Sequence, residues 1–452
     1  MLNLKLKDWK RTYLKFTMKK KIMKLKIAIL SALTAIFANA ASIDYLSNNS
    51  ASYFQNPSQT GKISVEGIFY NPAGTVFLDD GTYINANLQN SMIDESMTLK
   101  GKKLKSHRYA GAPSFNLLYK KNNYSLFGNL SVIAGGATLR YNDGVAGIEL
   151  AGETFNNITG GRLRAKVTKN RFTGQNRYYQ LMLGSAYKFN DTFSMSGGLK
   201  YVYAHRKLDG EAQYSYNPLV GAAIGLNKNY LSMNSKRNAE GIGGIIGFDY
   251  RPTDTLNFAV KYETPVKLKF KSKAQEDNKM MLRGRPLGIS FFYPEYADGF
   301  QSRRDLPGVL ALGVSKDLNK WTLSSGYTHY FNKSAKMDRV KYNDGYEINF
   351  GVDYRINDKF TWHAGFNYAD TGAKKESFSD VEYAINSQIY ATGLTYKPTE
   401  SSEWKFGLAH VNFNSSNGKR EKTSLPGITI DKSKVKYDKN VNVFTLGYTH
   451  KF

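Results

Sequence analysis

The closing segment of the chain alternates between large apolar residues and smaller or more polar ones, and this pattern constrains the fold most. Successive side chains of a β-strand point to opposite faces, so every second residue shares a face. The largely apolar face of residues 441–452 carries Phe444, Leu446, Tyr448 and Phe452. Such a strand suits a wall with lipid on one side and water on the other.

The same alternation recurs after residue 80, most clearly over 256–263, 345–356, 359–369 and 402–413, and no long amphipathic helix is expected there. Six short polar turns are predicted at Lys120–Asn123, Phe189–Thr192, Arg251–Thr255, Lys316–Lys320, Ile356–Lys359 and Lys397–Ser401. Seven long loops are predicted at about 99–111, 137–178, 206–240, 271–308, 332–344, 371–386 and 414–440. These thirteen connections join fourteen strands.

Residues 81–452 are therefore predicted to form an all-β fold, a 14-stranded antiparallel transmembrane β-barrel. The predicted strands are 82–98, 112–120, 124–136, 179–189, 193–205, 241–251, 255–270, 309–316, 320–331, 345–356, 359–370, 387–397, 402–413 and 441–452. An even strand count with alternating short turns and long loops is typical of bacterial outer-membrane barrels. Closure leaves no sheet edge exposed to lipid. A soluble β-sandwich is the alternative, because it shows the same periodicity.

Residues 1–40 have the features of a signal peptide, which predicts a location in the outer membrane of a diderm bacterium. A lysine-rich stretch precedes the apolar run Ile27–Phe37, which is too short to span a bilayer as a helix. Ala38–Ala40 fits the small-x-small cleavage pattern. The true start is expected at Met18 or Met23. An N-terminal membrane anchor is the alternative interpretation.

The chain has a formal charge of +26 and no cysteine. Such an excess of cations could attract nucleic acid, but on an exported protein it favours lipopolysaccharide and other anionic outer-membrane lipids. We therefore expect no nucleic-acid partner. Without cysteine there is no disulfide framework and no thiolate metal site.

Residues 41–80 do not follow the barrel pattern and are rich in Ser, Asn, Gly and Gln. The stretch is too long for a simple tail, so we expect a hatch that plugs the lumen. It contains Asn71, Pro72, Ala73 and Gly74 just before the first strand. This motif resembles the Asn-Pro-Ala signature of the FadL-type family of outer-membrane transporters for long-chain fatty acids and other hydrophobic compounds.

The resemblance implies a fourteen-stranded barrel with an N-terminal hatch, acting as a monomer. It also implies uptake of a long-chain fatty acid or another hydrophobic ligand by loop capture, hatch rearrangement and lateral release through a kinked third strand. Because glycine suits a local break in a sheet, Gly135 and Gly136 are our candidates for the kink. The alternative is that they are simply small residues at a strand end.

Two predicted loops carry apolar runs that are candidate capture surfaces, since exposed apolar patches often mark binding grooves. Their members are Leu219, Val220, Ile224, Leu226, Phe291 and Phe292. Alternatively, these side chains pack on each other and cap the barrel. Among the charges expected to face the lumen, Lys261 is a possible head-group contact. A structural ion-pair network between hatch and wall is the preferred alternative for these charges.

An enzyme is not expected, because the six histidines form no Ser-His-Asp arrangement and no G-x-S-x-G elbow is present. No cofactor is expected, and no spacing suggests a metal site. A general diffusion porin and a surface adhesin are the rival functions. Tyr448 and the terminal Phe452 resemble the closing strand that the outer-membrane barrel-assembly machinery recognises. The natural substrate stays open.

Overall fold

A computed structural model describes residues 50–452, except 227, 278–279, 283–284, 339, 381 and 423–428. The predicted signal peptide, with Met18 and Met23, and the first part of the predicted hatch lie outside the described residues. The remainder of the hatch and all barrel strands lie within them.

Fourteen antiparallel strands form one closed sheet, which confirms the predicted barrel. They are β1 Gly81–Leu99, β2 Lys102–Lys121, β3 Tyr124–Tyr141, β4 Lys166–Lys188, β5 Phe193–Ser215, β6 Tyr230–Thr253, β7 Leu256–Glu263 continued by Lys269–Asp277, β8 Gln301–Arg303 continued by Val309–Leu318, β9 Trp321–Tyr330, β10 Gly345–Arg355, β11 Phe360–Asp370, β12 Ser387–Thr399, β13 Ser402–Phe413 and β14 Val435–Lys451. Each strand pairs with the next, and β14 pairs with β1, so the barrel has no edge.

Short helices, 3₁₀ turns and short strands lie at the barrel ends and in the lumen. The helices are α1 Ala51–Gln55, α2 Gly67–Tyr70, α3 Ala146–Ile158 and α4 Pro218–Ala223, and the 3₁₀ turns are Pro72–Phe77, Ile289–Phe291, Pro294–Tyr296, Asn332–Ser334, Lys375–Ser377 and Lys432–Lys434. The loop strands are Met280–Leu282, Arg285–Leu287, Ser416–Asn417, Arg420–Lys422 and Thr429–Asp431. Of the helices within the described ranges, none has the length and apolar character to cross a membrane.

The strand alternation separates a lipid face from a lumen face. On β5, Leu199 is 65% exposed on the outside, whereas its neighbour Lys200 is buried inside. On β6, Ile242 is 68% exposed, and Asp249 is buried. Aliphatic and aromatic side chains therefore meet lipid, while the lumen holds the charges.

Several strands extend beyond their predicted limits. Residues 99–111 were expected to be a loop, but β1 and β2 are joined by a two-residue turn at Lys100 and Gly101, both with positive φ. Similarly, β5 and β6 leave only 216–229 as their loop. The alternation continues there with polar side chains outside, such as Lys207, so hydropathy no longer marks the strand.

The expectation of no long helix after residue 80 was wrong, because α3 spans thirteen residues in the loop between β3 and β4. Its buried side includes Ile148, Ala151 and Phe155, at spacings of three and four residues. The helix caps the loop end of the barrel by packing on β4 and β1.

Candidate functional site

The hatch segment from Ser50 to Phe77 lies inside the barrel, and its residues are buried except around 62–64 and at Phe77. Ser50 Oγ caps α1 by accepting from the Tyr53 amide at 3.3 Å. Asn71 caps the following 3₁₀ turn, since its side-chain oxygen accepts from Gly74 N at 3.1 Å. The polar side chains of this segment therefore cap its short helices and form hydrogen bonds to the wall.

The Asn71, Pro72, Ala73 and Gly74 motif joins the hatch to one side of the wall. Asn71 Nδ2 donates to the Asp249 carboxylate on β6. Asn257 Nδ2 donates to the same carboxylate at 2.9 Å and to Gly61 O at 3.0 Å. A Cβ on Gly74 would lie 2.6 Å from Asn71 Nδ2 and 3.2 Å from Asp249, so the close approach requires glycine.

Further bonds reinforce the attachment of this motif. Ser194 Oγ on β5 donates to Ala73 O at 2.8 Å. Thr75 Oγ1 and Ser125 Oγ on β3 lie 2.7 Å apart. Because these groups are buried, each lost bond would leave a buried polar atom without its partner.

Lys261 belongs to a hatch-anchoring ion cluster. Its Nζ donates to Phe69 O at 2.5 Å and lies 2.7 Å from Glu263 Oε1, while Lys200 Nζ lies 2.5 Å from Glu263 Oε2. Within the described residues, these polar contacts of Lys261 are both with protein groups. This arrangement corresponds to the structural ion-pair alternative, and the proposed head-group role of Lys261 stays an untested prediction.

A second cluster holds the opposite side of the hatch. Lys62 Nζ lies 2.5 Å from Asp353 Oδ2 on β10, and His363 Nδ1 on β11 lies 2.8 Å from Oδ1 of the same carboxylate. Lys405 Nζ on β13 lies 3.2 Å from Glu66 Oε1, whose residue is fully buried. The hatch is thus ion-paired to the wall on this side and hydrogen-bonded to it on the side of Lys261 and Asp249.

A track of wall glycines accommodates residues 51–61, and the sequence analysis did not identify it. Its members are Gly313, Gly351, Gly365, Gly393, Gly407 and Gly447, on β8 and on β10 to β14. A Cβ on Gly313 would lie 2.3 Å from Gly61 N, and one on Gly407 would lie 3.0 Å from the Phe54 carbonyl carbon. At Gly313 and Gly407, main chain of the hatch therefore lies directly against main chain of the wall, and at the other four glycines hatch side chains take the space of a Cβ.

Above the hatch, toward the loop end, the lumen is apolar. Tyr53, Phe54, Phe69 and Tyr70 of the hatch join one buried cluster with wall residues of β1 to β7 and with loop residues. Below the hatch, by contrast, a cavity of about 460 Å³ is lined mostly by polar and charged groups of the hatch and turns. Among the described residues, complementary surface for an apolar molecule therefore lies above the hatch rather than in the cavity below it.

Three buried arginines border this apolar region. Arg206 on β5 lies directly opposite Arg237 on β6, and both Arg206 and Arg304 pair with Glu382. Arg237 donates to Ser302 Oγ and lies over the rings of Phe270 and Tyr296, at 5.2 and 5.0 Å.

Together these arginines line a cavity of about 60 Å³, which also contains Phe292, Phe378 and Glu295. In the part of the chain that the structure describes, Arg237 Nε is buried and has no hydrogen-bond partner. The sequence analysis missed Arg206 and Arg237 because they fell in a predicted loop.

The third strand is irregular where the sequence predicted a kink. The β3–β4 register shifts between Val132 and Ala134 and again between Gly135 and Thr138, so β3 carries two extra residues. Gly135 has φ +70°, and a Cβ there would lie 2.3 Å from the main-chain oxygen of Asn176. Gly136 lies within the second irregularity.

The hydrogen-bonded ladder between β2 and β3 is also incomplete. Over the described residues it runs from Lys121–Tyr124 only to Ser114–Ser131, although both strands continue toward the loop end. The next residue of β2 is Pro113, which has no amide proton to donate. Ala112, Val132 and Tyr179 fill this part of the wall with apolar contacts.

Arg108 spans the same gap nearer the loop end. Its Nε donates to Thr138 O at 3.0 Å, and its terminal nitrogen donates to Arg140 O at 2.7 Å. Side-chain bonds thus replace the missing ladder bonds there.

The predicted capture residues divide into two groups. Leu219 is 82% exposed at the start of α4, whereas Leu226 is buried. Val220, Ile224, Phe291 and Phe292 are partly buried and pack against the apolar cluster. The structure thus packs most of them against the apolar cluster above the hatch, and their capture role stays a prediction.

At the other end of the barrel, Tyr448 packs on Trp404 with ring centroids 4.5 Å apart, and Phe452 is 69% exposed. Their role in barrel assembly also stays a prediction. Across the described ranges, no group of three His, Asp or Glu side chains could hold a metal ion.

Comparison with known proteins identifies the family. The profile described as outer membrane protein transport protein (OMPP1/FadL/TodX) matches residues 30–452. Outer membrane protein P1 of Haemophilus influenzae is 22% identical over 267 residues, which cover 54% of this chain and 57% of that protein. The match thus spans little more than half the length of this curated relative.

Solved structures agree in fold. A FadL homologue of Pseudomonas aeruginosa superimposes with a TM-score of 0.67 at 14% identity, covering 91% of this chain and all of that one. The toluene transporter TodX of Pseudomonas putida gives a TM-score of 0.61 at 16% identity, with 91% and 100% coverage. The toluene transporter TbuX of Ralstonia pickettii gives 0.59 at 14% identity, with 89% and 97% coverage.

The profile match covers the hatch motif and the whole barrel, and it confirms the resemblance inferred from Asn71 to Gly74. The chain is an outer-membrane β-barrel and belongs to the OMPP1/FadL/TodX family of transport proteins, which are not enzymes.

Proposed function

We propose that this protein takes up hydrophobic small molecules and releases them sideways into the outer membrane between β2 and β3. The observation that carries the proposal is the end of the β2–β3 ladder at Ser114–Ser131, beside the two irregularities of β3. A ligand leaving the apolar region above the hatch would displace the apolar contacts of Ala112, Val132 and Tyr179 there. Such contacts are replaceable by the ligand's own apolar surface.

A route straight through the hatch is less favourable for an apolar molecule. The hatch is joined to the wall by the ion pairs of Lys62 with Asp353 and of Glu66 with Lys405. Breaking a buried pair costs about 3–5 kcal/mol when one partner is left alone. The cavity beneath is polar, so the ligand would also lose its apolar surroundings.

The favoured substrate is an amphiphile with an acidic head, such as a long-chain fatty acid. Arg206, Arg237 and Arg304 lie together at the edge of the apolar region, and Glu382 is shared between two of them. A carboxylate accepts charge-assisted hydrogen bonds from such guanidinium groups. A neutral aromatic hydrocarbon, as in the names of TodX and TbuX, would leave Arg237 Nε without a partner.

We further propose that the ligand is captured by the loops bearing Leu219 and Phe292 and then moves past the arginines to the gap. Gly135 permits the bend of β3 that keeps this gap. Adjustment of the hatch near Phe69 and Tyr70 would open space for the ligand within the apolar cluster during passage. Because one chain closes the barrel, the protein is proposed to act as a monomer.

A reversible crosslink across the gap tests lateral release. The chain has no cysteine, so Ala112→Cys with Val132→Cys adds one defined pair, and Ser114→Cys with Ser131→Cys is the matched pair on the intact ladder. Uptake of labelled long-chain fatty acid is measured in cells that lack other transporters. We expect oxidation to lower uptake at least tenfold in the first pair only, and reduction to restore it. Normal uptake by the verified A112C/V132C crosslink would refute lateral release.

Conductance separates the proposal from the porin alternative. The hatch residues from Ser50 to Phe77 occupy the lumen, so we expect little steady ion current in a planar bilayer. A large open-pore current from the intact protein would favour a diffusion porin. Adhesion to host material that survives loss of uptake would favour the adhesin.

A further inference from the structure

The outer surface of the barrel carries a cluster of basic side chains on β4 to β7, here called the outer basic patch. Its members are Arg177, Lys207, Lys236, Lys269, Lys271 and Lys273. They occupy the outward positions of their strands, opposite in direction to buried neighbours such as Arg206 and Arg237. The patch therefore faces away from the lumen and lies apart from the apolar cluster above the hatch.

The strand register places three of these lysines side by side. Lys207 on β5 lies directly opposite Lys236 on β6, and Lys236 lies directly opposite Lys273 on β7. Like charges at directly opposed positions destabilise a sheet. In the next row toward the turn end, Lys271 lies opposite Asn238. The row of three lysines thus concentrates positive charge at one place on the wall.

Acidic groups offset little of this charge. Lys207 Nζ lies 2.6 Å from Asp209 Oδ2, and that carboxylate also accepts from Asn234. Among the described residues, Lys236, Lys271 and Lys273 have no carboxylate within salt-bridge distance. Other acids nearby are engaged or more distant: Glu240 accepts from the Tyr201 hydroxyl, Asp298 accepts from the Ala274 amide, and Asp277 lies four residues from Lys273.

The patch lies just above the lipid-facing band of the barrel. Tyr179 and Tyr203 stack on the outer face with ring centroids 6.4 Å apart, and aromatic side chains of this kind mark the membrane boundary. Leu199 and Ile242 lie below them, at 65% and 68% exposure. Lys207 is four residues beyond Tyr203, or about 13 Å along the strand. The row of lysines therefore lies on the loop side of the aromatic pair, beyond the apolar band.

We infer that the outer basic patch binds the phosphate groups of lipopolysaccharide in the outer leaflet. Lysine ammonium groups bind phosphate as point charges, and a row of them beside the head groups attracts anionic lipid. The acyl chains of the same molecule would lie against Leu199 and Ile242. The site thereby recognises both halves of a phosphorylated glycolipid, which a free phosphate ion does not offer.

Binding of fluorescent lipid A carrying both phosphates to the detergent-purified full chain tests this site. The triple variant Lys207→Gln, Lys236→Gln, Lys273→Gln removes the row, and the triple Lys→Arg variant keeps its charge. Lys103→Gln, Lys105→Gln, Lys436→Gln is the matched control, because these exposed lysines lie on β2 and β14, away from the patch. Heat-modifiable gel migration establishes that each variant is folded.

We expect the affinity for lipid A to fall at least tenfold in the first triple variant and less than twofold in the arginine variant and the control. We also expect dephosphorylated lipid A to bind the native chain at least tenfold more weakly, and inorganic phosphate at equal phosphate concentration not to compete. If the affinity for lipid A falls equally in the patch and control variants, overall charge rather than the patch causes the binding. Undiminished binding of dephosphorylated lipid A, or full competition by free phosphate, would likewise overturn the inference.

Discussion

Gly135 and Asn176 are in main-chain contact across β3 and β4, since a Cβ on Gly135 would lie 2.3 Å from the Asn176 carbonyl oxygen. The side chain of Asn176 accepts from Arg206 Nε at 2.7 Å. One residue therefore connects the irregularity in the wall to the arginine group. A ligand head that engages Arg206 would act within one residue of the proposed exit.

Replacing Gly135 with Ala should disrupt the proposed exit. A backbone φ of +70° is unfavourable for any residue that carries a Cβ. The contact with Asn176 O also leaves no space for that atom, so β3 must shift. We expect fatty-acid uptake in cells to fall at least tenfold while the barrel still migrates as folded. Gly197→Ala on β5 is the control, because no atom lies within 4 Å of its added Cβ. Unchanged uptake by G135A would contradict the assigned role of the bend.

Arg237→Met should weaken binding of acidic ligands selectively. The buried like-charge neighbour Arg206 makes the loss of one guanidinium tolerable for folding. Hydrogen bonds to charged groups contribute about 1.5–3 kcal/mol, which corresponds to roughly 10- to 150-fold in affinity. Calorimetry with a fatty acid should show this loss, and its methyl ester should bind both proteins equally. Arg251→Met, at the turn end, serves as the control, and equal losses for acid and ester would exclude a head-group site.

Gly313→Ala should separate the hatch from the wall. The added Cβ would lie 2.3 Å from Gly61 N and 2.6 Å from the Thr60 carbonyl carbon, and main chain cannot yield as a side chain does. Overpacking typically costs about 1–3 kcal/mol. The temperature of the heat-modifiable gel shift should therefore fall. Gly244→Ala, whose nearest contact would be 3.6 Å, should leave that temperature unchanged.

Asp249→Ala should loosen the hatch motif. The change removes the common acceptor of Asn71 and Asn257, and leaving buried donors without partners costs about 1–3 kcal/mol. We expect brief openings in planar-bilayer recordings that the native protein lacks. Asp254→Ala, at an exposed turn, should record like the native chain. If recordings of the D249A barrel show no openings, the motif does not keep the hatch in its closed position.

The barrel was predictable from sequence because lipid imposes period two on strands such as β10 and β14. Beyond the membrane, lipid no longer requires apolar residues at the outward positions. Lys207 and Lys236 point outward from regular strands, but the polar residues of these stretches predict a loop. The arginine site was missed for this reason, since Arg206 and Arg237 are recognisable as inward residues only once β5 and β6 are extended. The glycine track depends on which strands meet residues 51–61, and that is a tertiary contact with no local signature.

The track has a consequence for biogenesis. Ala51 lies against Gly407 and Gly447 and donates through its amide to Asn87 on β1 at 3.2 Å, so it touches both sides of the seam where β14 meets β1. No side chain could be threaded past such close main-chain contacts after the cylinder is complete. We therefore expect residues 51–61 to pack against the partly assembled barrel before β14 pairs with β1.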